Sequence, residues 1–185
     1  MFVQWVVNDS NTFRKHIMPL MSLYPPLTTR VHIQHAFLVR AMQGISISEY
    51  LETRSSKYSA RLRIIPIFTT VPTYFSSWLA GFIEAKGSFA IRSGTVGFSF
   101  SISQMNDIYL LKAIRDFFGQ SQLIVQVKKG VEPFYFLVIA NIKVINSVVN
   151  HCVNFPLLGY KHYQLATVIQ KSLAVSHLRH YFFFL

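Results

Sequence analysis

The alternation of apolar and polar residues predicts the strands of this chain. Residues 98–103, FSFSIS, place three apolar side chains on one face and three serines on the other, as in a strand that packs on a core. This run and residues 88–92 flank Ser93-Gly94, a pair that suits a hairpin turn. Two later runs, residues 122–128 and 134–140, complete a predicted set of four antiparallel strands.

Helical periodicity accounts for the segments around these strands. Residues 75–85 are apolar on almost every side, and the helix they predict ends at Gly87. Residues 107–118 are amphipathic, and further helices are predicted at 142–150 and 161–174. The order α-β-β-α-β-β-α-α predicts an α+β fold in which helices pack on one face of a four-stranded antiparallel sheet.

The chain also repeats part of itself. Tyr24-Pro25 and Phe155-Pro156 are separated by an offset of 131 residues (155 minus 24), and a helical pattern of apolar residues follows each pair. The same offset relates other positions, namely Leu27 to Leu158, Arg30 to Lys161 and Arg40 to Lys171. Each copy is interpreted as two helices joined by a short turn that contains proline.

The repeat predicts the domain organisation. In the second copy, predicted helices and strands begin roughly 80 residues before the proline turn, whereas only 24 residues precede the turn of the first copy. Roughly fifty residues of a first repeat are therefore expected to be missing. Residues 1–43 are therefore interpreted as the helical tail of an incomplete first repeat, and residues 74–185 as a complete repeat. Residues 44–73, with scattered charge, Ser, Thr and two prolines, are interpreted as a linker.

Charge and composition narrow the classes of partner. The 185 residues include 18 Lys and Arg against 7 Asp and Glu, a net charge of +11, while 51% are hydrophobic and only 14% are charged. This composition argues against intrinsic disorder, and the excess of cations predicts a polyanionic partner, either nucleic acid or an anionic membrane. Cys152 is the only cysteine, which excludes an intramolecular disulfide framework and a cysteine-based zinc site.

A membrane-spanning segment is the alternative outside the nucleic-acid-binding classes. Residues 64–83 contain no charged side chain over a length that can cross a bilayer. Pro66, Pro72 and several Ser and Thr residues disfavour a single lipid-facing helix there. We therefore expect no membrane partner, and a basic membrane protein stays open as the less favoured interpretation.

The segment 78–89, WLAGFIEAKGSF, carries the most specific pattern. Ala80, Gly81 and Ala85 form a stripe of small residues along which a second helix can approach closely. An acid near the end of such a helix would lie beside the sheet, where a metal ion and a phosphate group can reach it. The spacing alone fits a packing helix without a chemical role at least as well.

This segment is similar to the motif of the LAGLIDADG homing endonucleases and intron maturases, whose plan of strands and helices also matches the predicted order. The phrases FSISQMNDIYLLKAIRDFFG and FPLLGYK fall where the family has similar segments, and the resemblance covers residues 75–173. Residues 13–42 resemble the tail of a preceding repeat in two-repeat members encoded by mitochondrial introns, truncated here at the N-terminus. The resemblance implies a mitochondrial protein that uses Mg²⁺ to hydrolyse both strands of a specific double-stranded DNA site.

The resemblance also assigns roles to individual residues. In the family, each of two paired motif helices donates an acid from the penultimate motif position to divalent metal ions, and Lys86 occupies that position here. An ammonium group has no lone pair to offer a metal ion, so Mg²⁺ binding and cleavage are expected to be impaired, with Glu84 as a weak candidate ligand. Gln104 matches a residue that orients water and Lys161 a basic residue of the pocket. The candidate catalytic positions are therefore Lys86, Gln104 and Lys161.

Contacts with nucleic acid are expected from the sheet and from the motif helix. A sheet of this kind can occupy the major groove of DNA, with Ser99, Ser101 and Ser103 facing the bases. Longer predicted DNA contacts come from Arg92, Gln122, Gln126 and Lys128. The same alternation puts Phe134, Phe136 and Val138 on that face, an unusual surface for a working endonuclease. The motif helix is expected to pair with the missing first repeat or with a second copy of the chain through Leu79, Ala80, Gly81 and Ala85.

Lys86 also keeps other functions open. A maturase without nuclease activity would bind structured intron RNA and assist splicing, and it would not need the metal-ligating acid. A decaying reading frame that folds poorly would tolerate the same replacement. The sequence therefore predicts a LAGLIDADG-family protein of impaired nuclease activity, with RNA binding as the first alternative.

Overall fold

The computed structural model of the chain divides into two compact units, Met1–Phe68 and Thr69–Leu185. The residues that it describes are 6, 9–59, 68–91, 97–119, 124–129, 132–172 and 175–182. The boundary between the units falls inside the predicted linker, residues 44–73. The predicted division into 1–43, 44–73 and 74–185 otherwise stays a prediction.

The first unit consists of helices. They are α1 (Ser10–Thr12), a π-helical turn (Phe13–Ile17), α2 (Met18–Leu23), α3 (Thr29–Met42) and α4 (Ile47–Ser56). The side chain of Asp9 accepts hydrogen bonds from the backbone N–H groups of Asn11 and Thr12. These bonds satisfy donors that the first helical turn leaves unpaired.

Helix α4 lies within residues 44–73, the segment interpreted as a linker, where the sequence analysis predicted no helix. Its N-terminus is capped by Ser46, whose hydroxyl accepts a hydrogen bond from the backbone N–H of Glu49 at 3.1 Å. The Glu49 carboxylate in turn pairs with the guanidinium of Arg40 on α3. The scattered Ser and charged residues that suggested a linker are therefore the residues that cap and tether this helix.

The second unit is built on a sheet. Its strands are β1 (Gly87–Ile91), β2 (Phe98–Met105), β3 (Val125–Lys129) and β4 (Glu132–Ile139). The strand order is β1-β2-β4-β3, and every neighbouring pair is antiparallel. The predicted α+β fold with a four-stranded antiparallel sheet is confirmed. The predicted Ser93-Gly94 turn lies outside the described residues.

Helices cover one face of this sheet. They are α5 (Phe75–Lys86), α6 (Ile108–Phe117), α7 (Ile142–Asn154) and α8 (Tyr160–Lys171), and a 3₁₀ helix (Ser176–Phe182) packs on α8. Phe98, Phe100 and Ile102 of β2 are fully buried beneath the helices, as the alternation predicted. Among the described residues, no helix is both long and apolar enough to span a bilayer.

The two helix–turn–helix segments agree in their boundaries. Helices α2 and α7 end, and α3 and α8 begin, at positions related by the predicted offset of 131 residues (154 minus 23, and 160 minus 29). The environments of the two turns differ, because Leu27 is 2% exposed whereas its counterpart Leu158 is 95% exposed.

Candidate active-site helix and nucleic-acid interface

Helix α5 has a buried side and a side lined by small residues. Phe75, Leu79 and Ile83 are fully buried, at the spacing expected for one face of a helix. Leu79 therefore belongs to the core of the unit, which corrects its prediction as an interface residue. On the other side Gly81 and Ala85 are exposed, and Ala80 is half-buried. Their pairing with a second helix stays a prediction.

The junction between α5 and β1 requires glycine. A Cβ atom on Gly87 would lie 2.7 Å from the backbone oxygen of Ile83 and 3.1 Å from Cε2 of Phe100. The first distance is shorter than any ordinary contact, and a backbone atom cannot move aside cheaply. Gly87 thus lets the chain pass directly from the helix into the strand, and this fixes Lys86 at the junction.

Glu84 caps a neighbouring helix. Its Oε1 accepts a hydrogen bond from the backbone N–H of Lys161 in the first turn of α8 at 3.1 Å. Gly159 leaves room for this carboxylate, because a Cβ there would collide with it. Burial, reinforced by the charge of Glu84, raises the pKa of the Cys152 thiol to about 12. The geometry therefore gives Glu84 a structural role, since an anion at a helix N-terminus satisfies unpaired N–H groups.

The residues at the end of α5 do not fit a divalent metal ion. Lys86 is exposed, and no hydrogen bond or ion pair joins it to another described residue. Glu84 already commits one oxygen to α8. Across the described part of the chain, no three His, Cys, Asp or Glu side chains cluster in a way that could hold a metal ion. A cation beside a single partly used carboxylate is a poor donor set for Mg²⁺.

The other two candidate catalytic residues have partners of their own. Gln104, at the end of β2, is buried and donates a hydrogen bond from Nε2 to Oδ2 of Asp107 at 2.9 Å. The ammonium of Lys161 donates to Oε1 of Gln164 at 3.0 Å. No hydrogen bond in the described structure joins any two of Lys86, Gln104 and Lys161. The sequence interpretation missed Asp107, which lies three positions after Gln104 and just before α6.

The open face of the sheet, defined as the face opposite its buried residues, carries the predicted serines. Ser99, Ser101 and Ser103 are half-buried there. The pairing register sets Ser101 opposite Val138 and Ser103 opposite Phe136. Their contacts with DNA stay a prediction.

Strand β3 pairs with β4 in a defined register. Gln126 is paired with Tyr135, and Lys128 with Pro133. Their contacts with DNA stay a prediction. Exposed Val125 pairs with Phe136 and therefore shares the open face with it. Two other predicted contacts lie outside the described residues, namely Arg92 and Gln122.

An apolar lane therefore runs along the open face. The rings of Phe134 and Phe136 meet edge to face with centroids 4.6 Å apart. Val138 is 45% exposed and Val125 is 55% exposed. The lane is defined here as Val125, Phe134, Phe136 and Val138, together with Met105, which pairs with Phe134.

Comparison with known proteins identifies relatives of the chain. A family model described as LAGLIDADG endonuclease matches residues 79–171, half of the chain. A probable intron-encoded endonuclease aI3 of Dictyostelium citrinum is 33% identical over 160 residues, which cover 86% of this chain and 64% of that protein. Its namesake in Debaryomyces hansenii is 32% identical over 193 residues, with 86% of this chain and 27% of that protein covered. The chain thus spans less than two thirds of the length of these relatives.

Solved structures share the fold. The I-SmaMI LAGLIDADG homing endonuclease bound to cleaved DNA superposes with a TM-score of 0.65 at 16% identity, covering 94% of this chain and 67% of its own. The LAGLIDADG meganuclease I-CpaMI bound to uncleaved DNA gives 0.64 at 12% identity, covering 94% of this chain and 70% of its own. The match of the family model to half of the chain, which includes most of helix α5 and the whole sheet, shows that this protein belongs to the LAGLIDADG endonuclease family.

Proposed function

We propose that this chain binds double-stranded DNA in the major groove through the open face of its sheet. The two similar structures are described as bound to DNA, and a net charge of +11 favours a polyanionic partner. Acids in the second unit are largely engaged elsewhere: Glu84 caps α8, Asp107 binds Gln104, and Asp116 pairs with Arg115. These contacts reduce the repulsion that the acids would exert on phosphate groups.

The chemistry of this DNA binder depends on Lys86. Endonucleases of the family are generally metal-dependent, and we propose that this chain alone neither binds Mg²⁺ tightly nor cleaves DNA by its motif. A unit charge repels another at 4 Å by about 4 kcal/mol at an effective dielectric of 20, and a divalent ion by twice that. Lys86 thus removes a ligand and adds repulsion. This single observation supports impaired rather than intact site-specific cleavage.

The exposed side of α5 supports a second proposal about partners. Around Gly81 an added Cβ atom would meet nothing within 4 Å, so a second helix backbone has room to approach. We propose that this side pairs with a motif helix of a first repeat or with a second copy of the chain. A first repeat could then supply the acid that Lys86 replaces, whereas a second copy of the chain would bring another Lys86.

RNA binding is the second candidate function, and Lys86 favours it. A protein that assists the splicing of an intron needs a basic surface but no metal-ligating acid, and this chain has a net charge of +11. We also propose a mitochondrial location, which the resemblance to mitochondrial intron-encoded proteins supports.

Fluorescence anisotropy against salt tests the proposed function. A DNA duplex should bind more tightly than a structured RNA of similar charge, and its affinity should fall with a log–log slope of several units, because bound cations release counterions. Ser101→Asp should weaken duplex binding more than Ser147→Asp, which makes the same charge change on an exposed position of α7. A flat salt response, or equal effects of both changes, would contradict DNA binding by the open face. Preference for RNA would support the maturase alternative.

A further inference from the structure

The open face of the sheet is divided into two chemically different lanes. The serines of β2 form one lane, and the apolar lane of β4 lies directly beside it. Paired residues on one face have Cβ atoms about 5 Å apart, so both lanes fall within the width of one DNA groove. Val125 of β3 extends the apolar lane beyond Phe136.

The apolar lane is accessible rather than folded into the core. Val125 and Val138 are exposed, and Met105 is 37% exposed. A contiguous exposed apolar surface commonly marks a binding site. The apolar lane lies on the open face of the sheet, which contacts the bases in the proposed function. The chain also carries a strong excess of positive charge. The occupant that fits both observations is a polyanion that presents apolar groups.

We propose that the apolar lane reads the C5-methyl groups of pyrimidines in the major groove, so that this face prefers thymine-rich DNA. The inference rests on the proposed function, because it requires the major groove to lie against the open face. The thymine methyl is the only apolar group that an unmodified base pair presents there. A G·C pair against Val138 would lose water from its polar edge and gain no hydrogen bond in exchange.

The spacing of the strand matches this kind of recognition. Alternate residues on one face of a strand lie about 6.8 Å apart, which equals about two base-pair steps of 3.4 Å. If β4 follows the groove, Phe134, Phe136 and Val138 reach alternate base pairs over about five pairs. The serine lane is less selective, because a hydroxyl can donate to or accept from any base. Selectivity is therefore concentrated on β4.

Duplexes that differ only in pyrimidine methyl groups test the inference. Alternating poly(dA-dT) is compared with poly(dA-dU), which lacks the methyl group, and poly(dG-dC) with its 5-methylcytosine form, at equal length and fixed salt. Each methyl group in contact should tighten binding by about fourfold, since burying one methylene-sized group contributes roughly 0.8 kcal/mol. Both methylated duplexes should therefore bind more tightly than their partners.

A matched pair of variants separates methyl recognition from differences in DNA shape. Val138→Ser should reduce the methyl preference and leave the salt slope unchanged, because no charge is altered. Ile142→Ser, at a helix position that is 42% exposed, should leave both unchanged. Thermal unfolding followed by circular dichroism verifies that both variants are folded. The comparison of methylated with unmethylated duplexes uses the unaltered chain and does not depend on any variant.

The possible failures are distinguishable. Salt-dependent duplex binding without a methyl preference, or with a preference that Val138→Ser does not change, would overturn the inference and leave the proposed function standing. Absence of duplex binding would overturn both. Tighter binding to single-stranded oligo(dT) than to any duplex, lost in Phe136→Leu but kept in Phe136→Tyr, would show base stacking on the ring and would also overturn the inference.

Discussion

Two glycines of the motif segment differ in how closely they are packed: Gly87 has close neighbours, whereas nothing lies near Gly81. Gly87→Ala should destabilise the fold by about 1–3 kcal/mol, because the new Cβ would overlap the backbone of Ile83. Gly81→Ala should be neutral or stabilise it by about 0.5–1 kcal/mol, because the site is open and alanine favours a helix. Urea unfolding at low protein concentration measures both. Equal midpoints would contradict the close approach at Gly87.

The charge at position 86 should control whether the end of α5 binds a divalent metal ion. Lys86→Asp should bind Ca²⁺ or Mg²⁺ more tightly than the unaltered chain does, because it removes a cation and adds a carboxylate at the end of α5. Isothermal titration calorimetry with either ion measures the gain.

Lys112→Asp is the control for that experiment, since Lys112 is an exposed lysine of α6 and the charge change is the same. It should gain no binding. Tight binding of Mg²⁺ by the unaltered chain, or an equal gain in the control, would show that the metal site lies elsewhere.

The sequence predicted where individual residues lie better than it predicted which residues they contact. The motif placed Lys86 at the end of a helix and Gln104 at the end of a strand, and both positions are correct in the structure. The bond from Gln104 to Asp107 was not predicted, because it depends on how the chain turns after β2, where Asn106 adopts a positive φ of 67°. Asparagine tolerates this backbone conformation better than most residues do, but the apolar periodicity of the chain does not signal it.

At the scale of elements, α8 depends on a carboxylate from another helix. Glu84→Ala should destabilise the unit by about 1–2 kcal/mol, because the backbone N–H of Lys161 loses its acceptor. Glu84→Gln should cost less, since an amide oxygen can accept the same hydrogen bond. Glu52→Ala, on the exposed side of α4, is the control and should have little effect. Chemical denaturation distinguishes the three, and equal stability of all of them would contradict the capping role.

Helix α7 brings a buried histidine into an aromatic cluster, which makes stability depend on pH. His151 lies against the rings of Phe117, Phe118 and Phe155, and burial lowers its pKa from 6.5 to about 4. The unfolded chain therefore binds a proton at a higher pH than the folded chain does. Stability should fall as the pH drops from about 6.5 towards 4, by about 3 kcal/mol in total from this group.

His151→Phe tests the origin of that acid sensitivity. Urea unfolding at pH 7 and pH 4.5 should show a smaller loss of stability for this variant than for the unaltered chain. His162→Phe is a control at a less buried position on α8 and should keep the full pH dependence. Identical pH profiles for His151→Phe and the unaltered chain would rule out His151 as the source.

Where apolar and polar residues alternate strictly along a strand, the sequence predicted which face of the strand is buried. Without that alternation the sequence does not specify the face. In β2 the pattern FSFSIS assigned every side chain to the correct face. The run 122–128 contains three consecutive apolar residues, so its face depends on the register with β4, which the sequence does not specify. Helix α4 was missed for a related reason, because no regular apolar stripe marks its sequence. Its contacts are the Ser46 cap, the Arg40–Glu49 ion pair and the ring contact between Tyr50 and Phe37.

At the scale of the whole molecule, the second unit presents two surfaces that a monomer leaves in water. One is the open face of the sheet, and the other is the small-residue side of α5 together with Leu158, which is almost fully exposed. A pocket between α5 and the turn that joins α7 to α8 is lined by Ser77, Ala80 and Gly81 on α5 and by Pro156 and Leu158 on the turn. Burying this apolar surface against a second helix would be favourable, so its exposure predicts an interface with another helix.

The chain should therefore self-associate through α5. Sedimentation equilibrium should show a concentration-dependent dimer, and Gly81→Leu should abolish it, because a large side chain prevents the close approach of two helix backbones. The substitution has room in the monomer, since nothing lies within 4 Å of the Cβ position, so the fold should be retained. Thr167→Leu, which places the same leucine side chain on the exposed side of α8, should leave the dimer intact. A monomer at high concentration, both with and without the change at Gly81, would mean that α5 does not form an interface between copies of this chain.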